Sequence, residues 1–187
     1  TTRMAGVERI IAGDGDDIID LTSPDFVVSN MEIQGNGGAD VLWGNDGNDI
    51  LDGGLGADIL AGGKGADLFV MRKGEDVHSY ELADHIRDFE IGEDSIALSG
   101  GLVFDDLRLE VIGSGADAGK AALLNASNDF IYTVFDNLGS DDVALLSQDV
   151  FGTYGSDESV SIVGTAEEDQ MLELDVSGIS SMDEEAS

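Results

Sequence analysis

The chain contains no cysteine, a single proline and only 8 lysines and arginines in 187 residues. Without cysteine there is no disulfide scaffold, no zinc–thiolate site and no cysteine nucleophile. The shortage of basic residues stands against 40 aspartates and glutamates, for a net charge of −32. That balance removes the positive face a nucleic-acid backbone requires, and with it any attraction to an anionic membrane surface. No apolar run approaches the ~20 residues of a transmembrane helix, so membrane insertion is not expected. No basic-then-apolar leader follows Thr1. The sequence is therefore expected to be a fragment of something longer, or to be exported by a signal elsewhere. What is abundant is equally informative. Hydrophobic residues make up 42% of the chain, enough for a core despite the charge, and 26 glycines accompany the lone proline.

The glycines belong to a repeat. Residues 35–70 divide without gaps into four nonapeptides: GNGGADVLW (35–43), GNDGNDILD (44–52), GGLGADILA (53–61) and GGKGADLFV (62–70). Position four is Gly38, Gly47, Gly56 and Gly65; position six is Asp40, Asp49, Asp58 and Asp67; position eight is Leu42, Leu51, Leu60 and Phe69. An earlier copy, AGDGDDIID (12–20), sets Gly15, Asp17 and Ile19 in the same places. A degenerate copy, MRKGEDVHS (71–79), keeps Gly74 and Asp76 but has His78 at the apolar position. Between the first copy and the block lies a 14-residue spacer, Leu21–Gln34. Its end, Asn30-Met-Glu-Ile, echoes Gly6-Val-Glu-Arg-Ile and points to a larger duplicated unit.

Six Gly-, Asp- and Asn-rich residues make a tight turn that tolerates positive φ. The last three residues of each copy have the period of a short strand with one side chain turned inward. Turn, strand, turn, strand over two copies closes one coil of a flattened helix of parallel strands, with position-eight side chains filling a thin core. Aspartates then stack along each edge. By parity Asp40 lies under Asp58 and Asp49 under Asp67. Asp17 stacks on Asp40 if the spacer supplies the opposite turn and strand, and Asp58 is expected to pair with Asp76.

Stacked carboxylates repel: at ~5 Å they lose on the order of 1 kcal/mol even in bulk water, and more near protein. An oxygen-ligated dication relieves this, because Ca²⁺ accepts 6–8 carboxylate and carbonyl oxygens at about 2.3–2.6 Å. Mg²⁺ fits worse, since it demands octahedral geometry and retains water. Zinc and copper favour His or Cys, and only His78 and His85 are present. Calcium is the metal these residues point to.

The pattern G-G-x-G-x-D-x-U-x resembles the RTX (repeats-in-toxin) calcium-binding β-roll family. The likeness covers Ala12–Ser79 and extends through Asp84-His-Ile-Arg-Asp-Phe-Glu-Ile-Gly-Glu-Asp-Ser-Ile-Ala-Leu98, which is similar to the segment that follows such rolls. Departures occur at Ala12, Asn36 and Asn45, where glycine is usual, and at Met71-Arg72-Lys73, so a site in the last copy should be the weakest. The resemblance implies several Ca²⁺ ions, with carboxylate ligands from Asp17, Asp40, Asp49, Asp58, Asp67 and Asp76. It also implies turn ligands from Gly15, Asn36, Gly38, Asn45 and Gly47, and from Gly53, Leu55, Gly56, Gly62, Lys64 and Gly65.

The expected fold is all-β. A parallel β-roll, a two-walled β-solenoid of nonapeptide repeats, occupies residues 1–83. A β-rich cap with one short helix follows over 84–166, then an acidic tail or the start of a further domain over 167–187. Strands are expected at Leu107–Ile112, Lys120–Ala126, Phe130–Phe135, Ser159–Val163 and Met171–Val176, and a helix at Ser140–Gln148. Such a terminal unit is what a repeat stack needs to close its open end. Val41, Trp43, Ile59 and Ala61 share one outer wall, which is expected to be covered by the following segment or a neighbouring domain.

Other chemistry finds no support. In Gly113–Lys120 the glycine a Walker loop needs is Ser114, and Lys120 is followed by Ala121. Gly113, Gly115 and Ala118 match a dinucleotide pattern only loosely, without its helix. No H-E-x-x-H surrounds His78 or His85, which read as ordinary histidines, and there is no G-x-S-x-G elbow. Carboxylates are too common to mark a glycosidase pair. The chain is not expected to be an enzyme. The resemblance implies a structural calcium module of a secreted bacterial protein, exported unfolded by a type I secretion machinery and folding with Ca²⁺ outside the cell or at its surface. Asp20-Leu-Thr-Ser-Pro and Met31-Glu-Ile-Gln are similar to stretches of large RTX adhesins, which implies an adhesin or surface protein whose partners are neighbouring domains or a cell-surface target. The alternative parent is an exported protease, lipase or hemolysin.

Overall fold

A computed structural model describes residues 8–23, 25, 30–146, 148–154 and 160–162. In chain order its first strands are β1 (Arg9–Ile11), β2 (Ile18–Asp20), β3 (Glu32–Gln34), β4 (Val41–Trp43), β5 (Ile50–Asp52), β6 (Ile59–Ala61) and β7 (Leu68–Arg72). Then come β8 (Asp84–Ile86), β9 (Ser95–Ser99), β10 (Leu107–Val111), β11 (Ala121–Asn125), β12 (Ile131–Phe135), β13 (Phe151–Tyr154) and β14 (Val160–Ile162). In the repeats each strand begins where the turn residues stop, at position seven. The spacer supplies β3, so the missing half-coil between the first copy and the block is filled.

Successive strands alternate between two seven-stranded sheets, ordered β1-β3-β5-β7-β9-β13-β14 and β2-β4-β6-β8-β12-β11-β10. Pairing is parallel from β1 to β9, as an 18-residue coil requires. The register places one inward residue above the next. Ile10, Ile33, Leu51, Phe69, Ile96 and Phe151 line the first wall. Ile19, Leu42, Leu60, Ile86 and Phe135 line the second. A single-residue slip would turn each strand's apolar residue to solvent, which fixes the register.

The chain after the repeats caps the roll by continuing both walls. β8 and β9 add a last parallel coil, β12 and β13 pair in parallel with them, and β11, β10 and β14 finish as antiparallel edges. Larger side chains fill the core here: Phe89 is 1% exposed, with its ring centroid 5.9 Å from Phe69 and 5.2 Å from Phe135. The turn between β7 and β8, which includes a 3₁₀ segment at Tyr80–Leu82, folds over the outside of β11 and β12. There Val77, Tyr80 and Ala83 pack with Ala122, Leu124, Ile131 and Val134. Among the described residues the segment after the repeats therefore covers β11 and β12, while Trp43 on the outer wall of the repeats is 38% exposed.

The helix expected at Ser140–Gln148 is replaced by consecutive turns over 140–145 and a 3₁₀ segment at Gln148–Val150. Asp142 Oδ2 accepts the Gly139 N–H and the chain completes only about one turn, because glycine and asparagine before it favour bends over helix nucleation. The strand expected at Met171–Val176 and the tail lie outside the described residues.

Replacing Phe89 by Ala should cost about 3–5 kcal/mol, since it removes the ring that joins the repeat core to the cap core. Denaturant unfolding in saturating Ca²⁺ measures this; a loss below about 1 kcal/mol would show that the two cores do not depend on it.

Candidate metal centre

Every turn ends in the residue that precedes or opens a strand, and at that place the two edges carry their aspartates. On one edge the backbone N–H of Asp17 donates to Asp40 Oδ1 (2.8 Å), that of Asp40 to Asp58 Oδ1 (2.8 Å) and that of Asp58 to Asp84 Oδ1 (3.0 Å). On the other, Met31 N–H donates to Asp49 Oδ1 (2.7 Å), Asp49 to Asp67 Oδ1 (2.8 Å) and Asp67 to Asp94 Oδ1 (2.9 Å). These are two ladders in which each carboxylate fastens the coil before it. The stacking of Asp17, Asp40 and Asp58, and of Asp49 and Asp67, follows the spacing in the sequence. Above Asp58, however, stands Asp84. Asp76 sits outside the ladder, where its Oδ2 accepts Nδ2–H bonds from Asn125 (3.0 Å) and Asn128 (3.3 Å).

Sequence reasoning passed over Asp84 and Asp94. A signal was present: each stands two residues before an inward isoleucine, Ile86 or Ile96, the same offset that separates positions six and eight. Asp88, which lacks that offset, was also passed over. Its two oxygens accept the N–H groups of Gly62 (3.1 Å) and Gly63 (3.0 Å).

One carboxylate oxygen of each ladder aspartate is thus engaged, and the second decides the chemistry. Asp40, Asp58 and Asp67 are 0–2% exposed, and Oδ2 of all three has no hydrogen-bond partner. A buried carboxylate oxygen with no donor is expensive unless a cation meets it. The turns leave room for one. A side chain on Gly35 would grow into both Asp40 Oδ2 and the carbonyl of Gly53 in the next coil. One on Gly44 would meet Asp49 Oδ2 and the carbonyl of Gly62. Two oxygen acceptors from adjacent coils therefore converge at each place; Asp40 Oδ2 has no donor at all, while Asp49 Oδ2 also accepts the Asn45 N–H (3.1 Å). That donor set suits an oxygen-seeking dication.

The remaining turn positions serve the coil-to-coil approach. Leu55 N–H donates to Asn36 O (2.8 Å), Gly38 N–H to Leu55 O (2.9 Å), Lys64 N–H to Asn45 O (3.3 Å) and Gly47 N–H to Lys64 O (2.7 Å). Each of these carbonyls keeps a second lone pair. Gly15, Gly38 and Gly56 stack on one edge at position four, and Gly47 and Gly65 on the other, too close to their neighbours for a Cβ at Gly38, Gly56 or Gly65. At position two Gly54 (φ 92°) and Gly63 (φ 104°) are left-handed, and Asn36 (φ 73°) adopts the same conformation. Its departure from glycine is one that asparagine tolerates.

With no cation, burial dominates the electrostatics. It raises Asp58 to about 6 and Asp67 to about 7, aided by neighbouring Asp40 and Asp52 in the first case and Asp94, Asp49 and Asp88 in the second. Asp94 is raised to about 6, and Asp49 and Asp88 rise as well, again by burial. Asp84 is raised well above the ordinary carboxylate value, by burial and then by Asp58. No basic side chain of the described residues pairs with a ladder aspartate: Arg9 pairs with Glu32, Lys64 with Asp46, Arg72 with Asp52 and Glu75, Lys73 with Asp106, and Arg87, Arg108 and Lys120 with acids of the cap. Elsewhere His85, Asp117 and Asp136 bring ligand atoms within 4.8 Å of one another. Lys120 Nζ already lies 2.8 Å from Asp117 and 2.5 Å from Asp136, so an ammonium holds that place.

Residues 4–21 and 33–69 match the RTX calcium-binding nonapeptide repeat, in four copies. The match stops short of the degenerate copy that holds Asp76. Among solved structures the chain is similar to the solution structure of the AlgE6R3 subunit of the Azotobacter vinelandii mannuronan C5-epimerase. That likeness has 27% identity and a TM-score of 0.56, over 100% of this chain and 99% of that one. It is also similar to the AlgE6R2 subunit of the same enzyme, at 28% identity and a TM-score of 0.53, over 80% of this chain and 93% of that one. No curated protein matches the sequence. The chain thus carries RTX calcium-binding repeats wound into a β-roll.

Two predictions follow from the geometry. Gly35→Ala places a methyl group against Asp40 Oδ2 and the Gly53 carbonyl, and should lower the number of bound Ca²⁺ ions measured by calorimetry; an unchanged number and affinity would show that no ion sits there. In chelator the pH dependence is fixed in sign. Asp58, Asp67 and Asp94 have folded values above their unfolded ones, so their contribution is fully present below about pH 4 and lost as the pH rises through about 6–7. Circular dichroism of the calcium-free chain should show strand signal growing as the pH is lowered across that window, and a flat response would contradict the burial described.

Proposed function

We propose that this chain is a calcium-dependent folding module of a larger secreted bacterial protein. In it Ca²⁺ is held by Asp17, Asp40, Asp49, Asp58 and Asp67 together with turn carbonyls such as those of Gly53 and Gly62. The observation that carries this is the buried Oδ2 without a donor on Asp40, Asp58 and Asp67. When bound, the ion neutralises carboxylates that the fold otherwise has to bury charged. The chain's own residues do the rest. Ladder Oδ1 atoms fasten neighbouring coils, glycines let the coils approach, and the inward apolar row fills the core.

Export as an unfolded chain agrees with the same chemistry. At low cytosolic calcium a net charge of −32 opposes compaction, and outside the cell even sites of about 10⁻⁴–10⁻³ M are filled. Each site at ~100 times its dissociation constant adds roughly 2.7 kcal/mol to the folded state. A type I secretion machinery and an extracellular location are what this reading implies.

The parent is the second question. Likeness along the whole chain to a subunit of a mannuronan C5-epimerase favours a module carried by an exported enzyme that acts on a polysaccharide. An adhesin or surface protein, suggested by the spacer sequence, is the other reading. In either case the module itself contributes calcium-dependent folding, not catalysis.

Circular dichroism tests the central claim. In chelator at neutral pH the repeats should be largely unstructured, strand signal should appear with added Ca²⁺, and Mg²⁺ at the same concentration should have little effect. A roll equally folded in chelator, or equally responsive to Mg²⁺, overturns it.

A further inference from the structure

Both aspartate ladders run past the last nonapeptide. The final rungs are Asp84, which accepts the N–H of Asp58, and Asp94, which accepts the N–H of Asp67. Asp94 is held as a repeat aspartate is: its Oδ2 accepts the N–H four residues earlier, from Glu90 at 2.8 Å, just as Asp49 Oδ2 accepts that of Asn45 at 3.1 Å. On the same edge Asp88 brings a second carboxylate to Gly62, the glycine against which Asp67 Oδ2 lies. Of the three buried Oδ2 atoms with no donor, two belong to Asp58 and Asp67. Those two residues sit on the coil that meets the post-repeat segment, not another nonapeptide.

We propose that two of the module's calcium ions sit at this junction, one on Asp58 with Asp84 and one on Asp67 with Asp88 and Asp94, and that they clamp the post-repeat half onto the roll. The proposal rests on the calcium reading above and adds to it what the metal controls. β8 and β9, which carry or follow the terminal aspartates, are the strands on which β12 and β13 pair. Without the junction ions, three or more acidic groups meet across the seam with no cation between them, and the coil that seeds the cap is the one that loosens. Calcium then sets the docking of the non-repeat half as well as the winding of the repeats. Among the described residues, apart from the Val77–Ile131 bridge, β12 and β13 reach the roll through β8 and β9, so protection in β12 beyond Ile131 reports on the seam.

The test compares the full chain with Asp84→Asn/Asp94→Asn, with Asp88→Asn, and with Asp105→Asn as a control for lost surface charge. Calcium stoichiometry is read by calorimetry, and amide exchange in β4 and β12 is followed across a calcium titration. The double variant should bind two fewer ions than the parent, and its β12 amides should exchange at least tenfold faster at a calcium level that still protects β4. Asp88→Asn should weaken one ion at least tenfold while the fold persists, which keeps the test open if the double variant does not fold. Asp105→Asn should change neither. Unchanged stoichiometry in both Asp84→Asn/Asp94→Asn and Asp88→Asn overturns the junction sites. Loss of protection in β4 and β12 together, at every calcium level, overturns the clamp. A parent chain that binds no calcium defeats the earlier reading instead.

Discussion

The constraint on which the structure depends is the burial of carboxylates along both edges of a very thin core. A coil with one inward residue per strand buries too little apolar surface to hold stacked anions by hydrophobicity alone. One fully buried aliphatic side chain contributes about 1.5–3 kcal/mol, and most half-coils bring one aspartate with it. An anion taken out of water without a counter-charge costs several kcal/mol or changes its protonation state. The structure displays that conflict in Asp58 and Asp67, whose carboxyls are pushed up to about 6 and 7. Ladder hydrogen bonds satisfy one oxygen of each of these two groups. The other has no donor, and either a proton or a cation relieves it.

That cation is not supplied by the chain. The described lysines and arginines are engaged elsewhere, and the distribution is instructive. In the repeats Arg9 pairs with Glu32, Lys64 with Asp46 and Arg72 with buried Asp52; in the cap Arg87 and Lys120 converge on Asp136, and Arg108 joins Glu110 to Asp129. In both halves the basic side chains meet acids outside the ladders, so the ladder carboxylates receive no counter-charge from the described residues.

Much of this was legible in the sequence, for a physical reason: nine-residue spacing dictates strand, turn, register and edge at once. Position eight gave the core and position six the ladders, and the echo between Gly6-Val-Glu-Arg-Ile and Asn30-Met-Glu-Ile pointed to a duplicated unit, which the structure shows as β3 paired with β1. The rest failed where spacing ceased to be regular. Asp76 keeps the motif offset from Gly74, yet the turn between β7 and β8 runs from Lys73 to Ala83, nearly twice the usual length. The longer turn carries Asp76 away to Asn125 and Asn128 and delivers Asp84 in its stead. Counting from the last glycine misplaces this rung, whereas counting back from the inward isoleucines Ile86 and Ile96 finds it. Core contact, not turn length, keeps the phase.

The same logic explains why the two edges differ. On one, Asp17, Asp40, Asp58 and Asp84 form an unbroken column. On the other, Met31 and Glu8 stand where aspartates would, and Met31, 1% exposed, packs in the core while still donating its N–H to Asp49 Oδ1. The hydrogen bond of the ladder survives the loss of the carboxylate because it needs only the backbone of the earlier coil. The carboxylate is lost there, and a thioether would be a poor partner for a hard cation. Under the calcium reading proposed above, coil winding and metal binding would therefore separate at this rung: the backbone ladder needs only an N–H from the earlier coil, whereas an ion needs the carboxylate, and the second can be lost without the first.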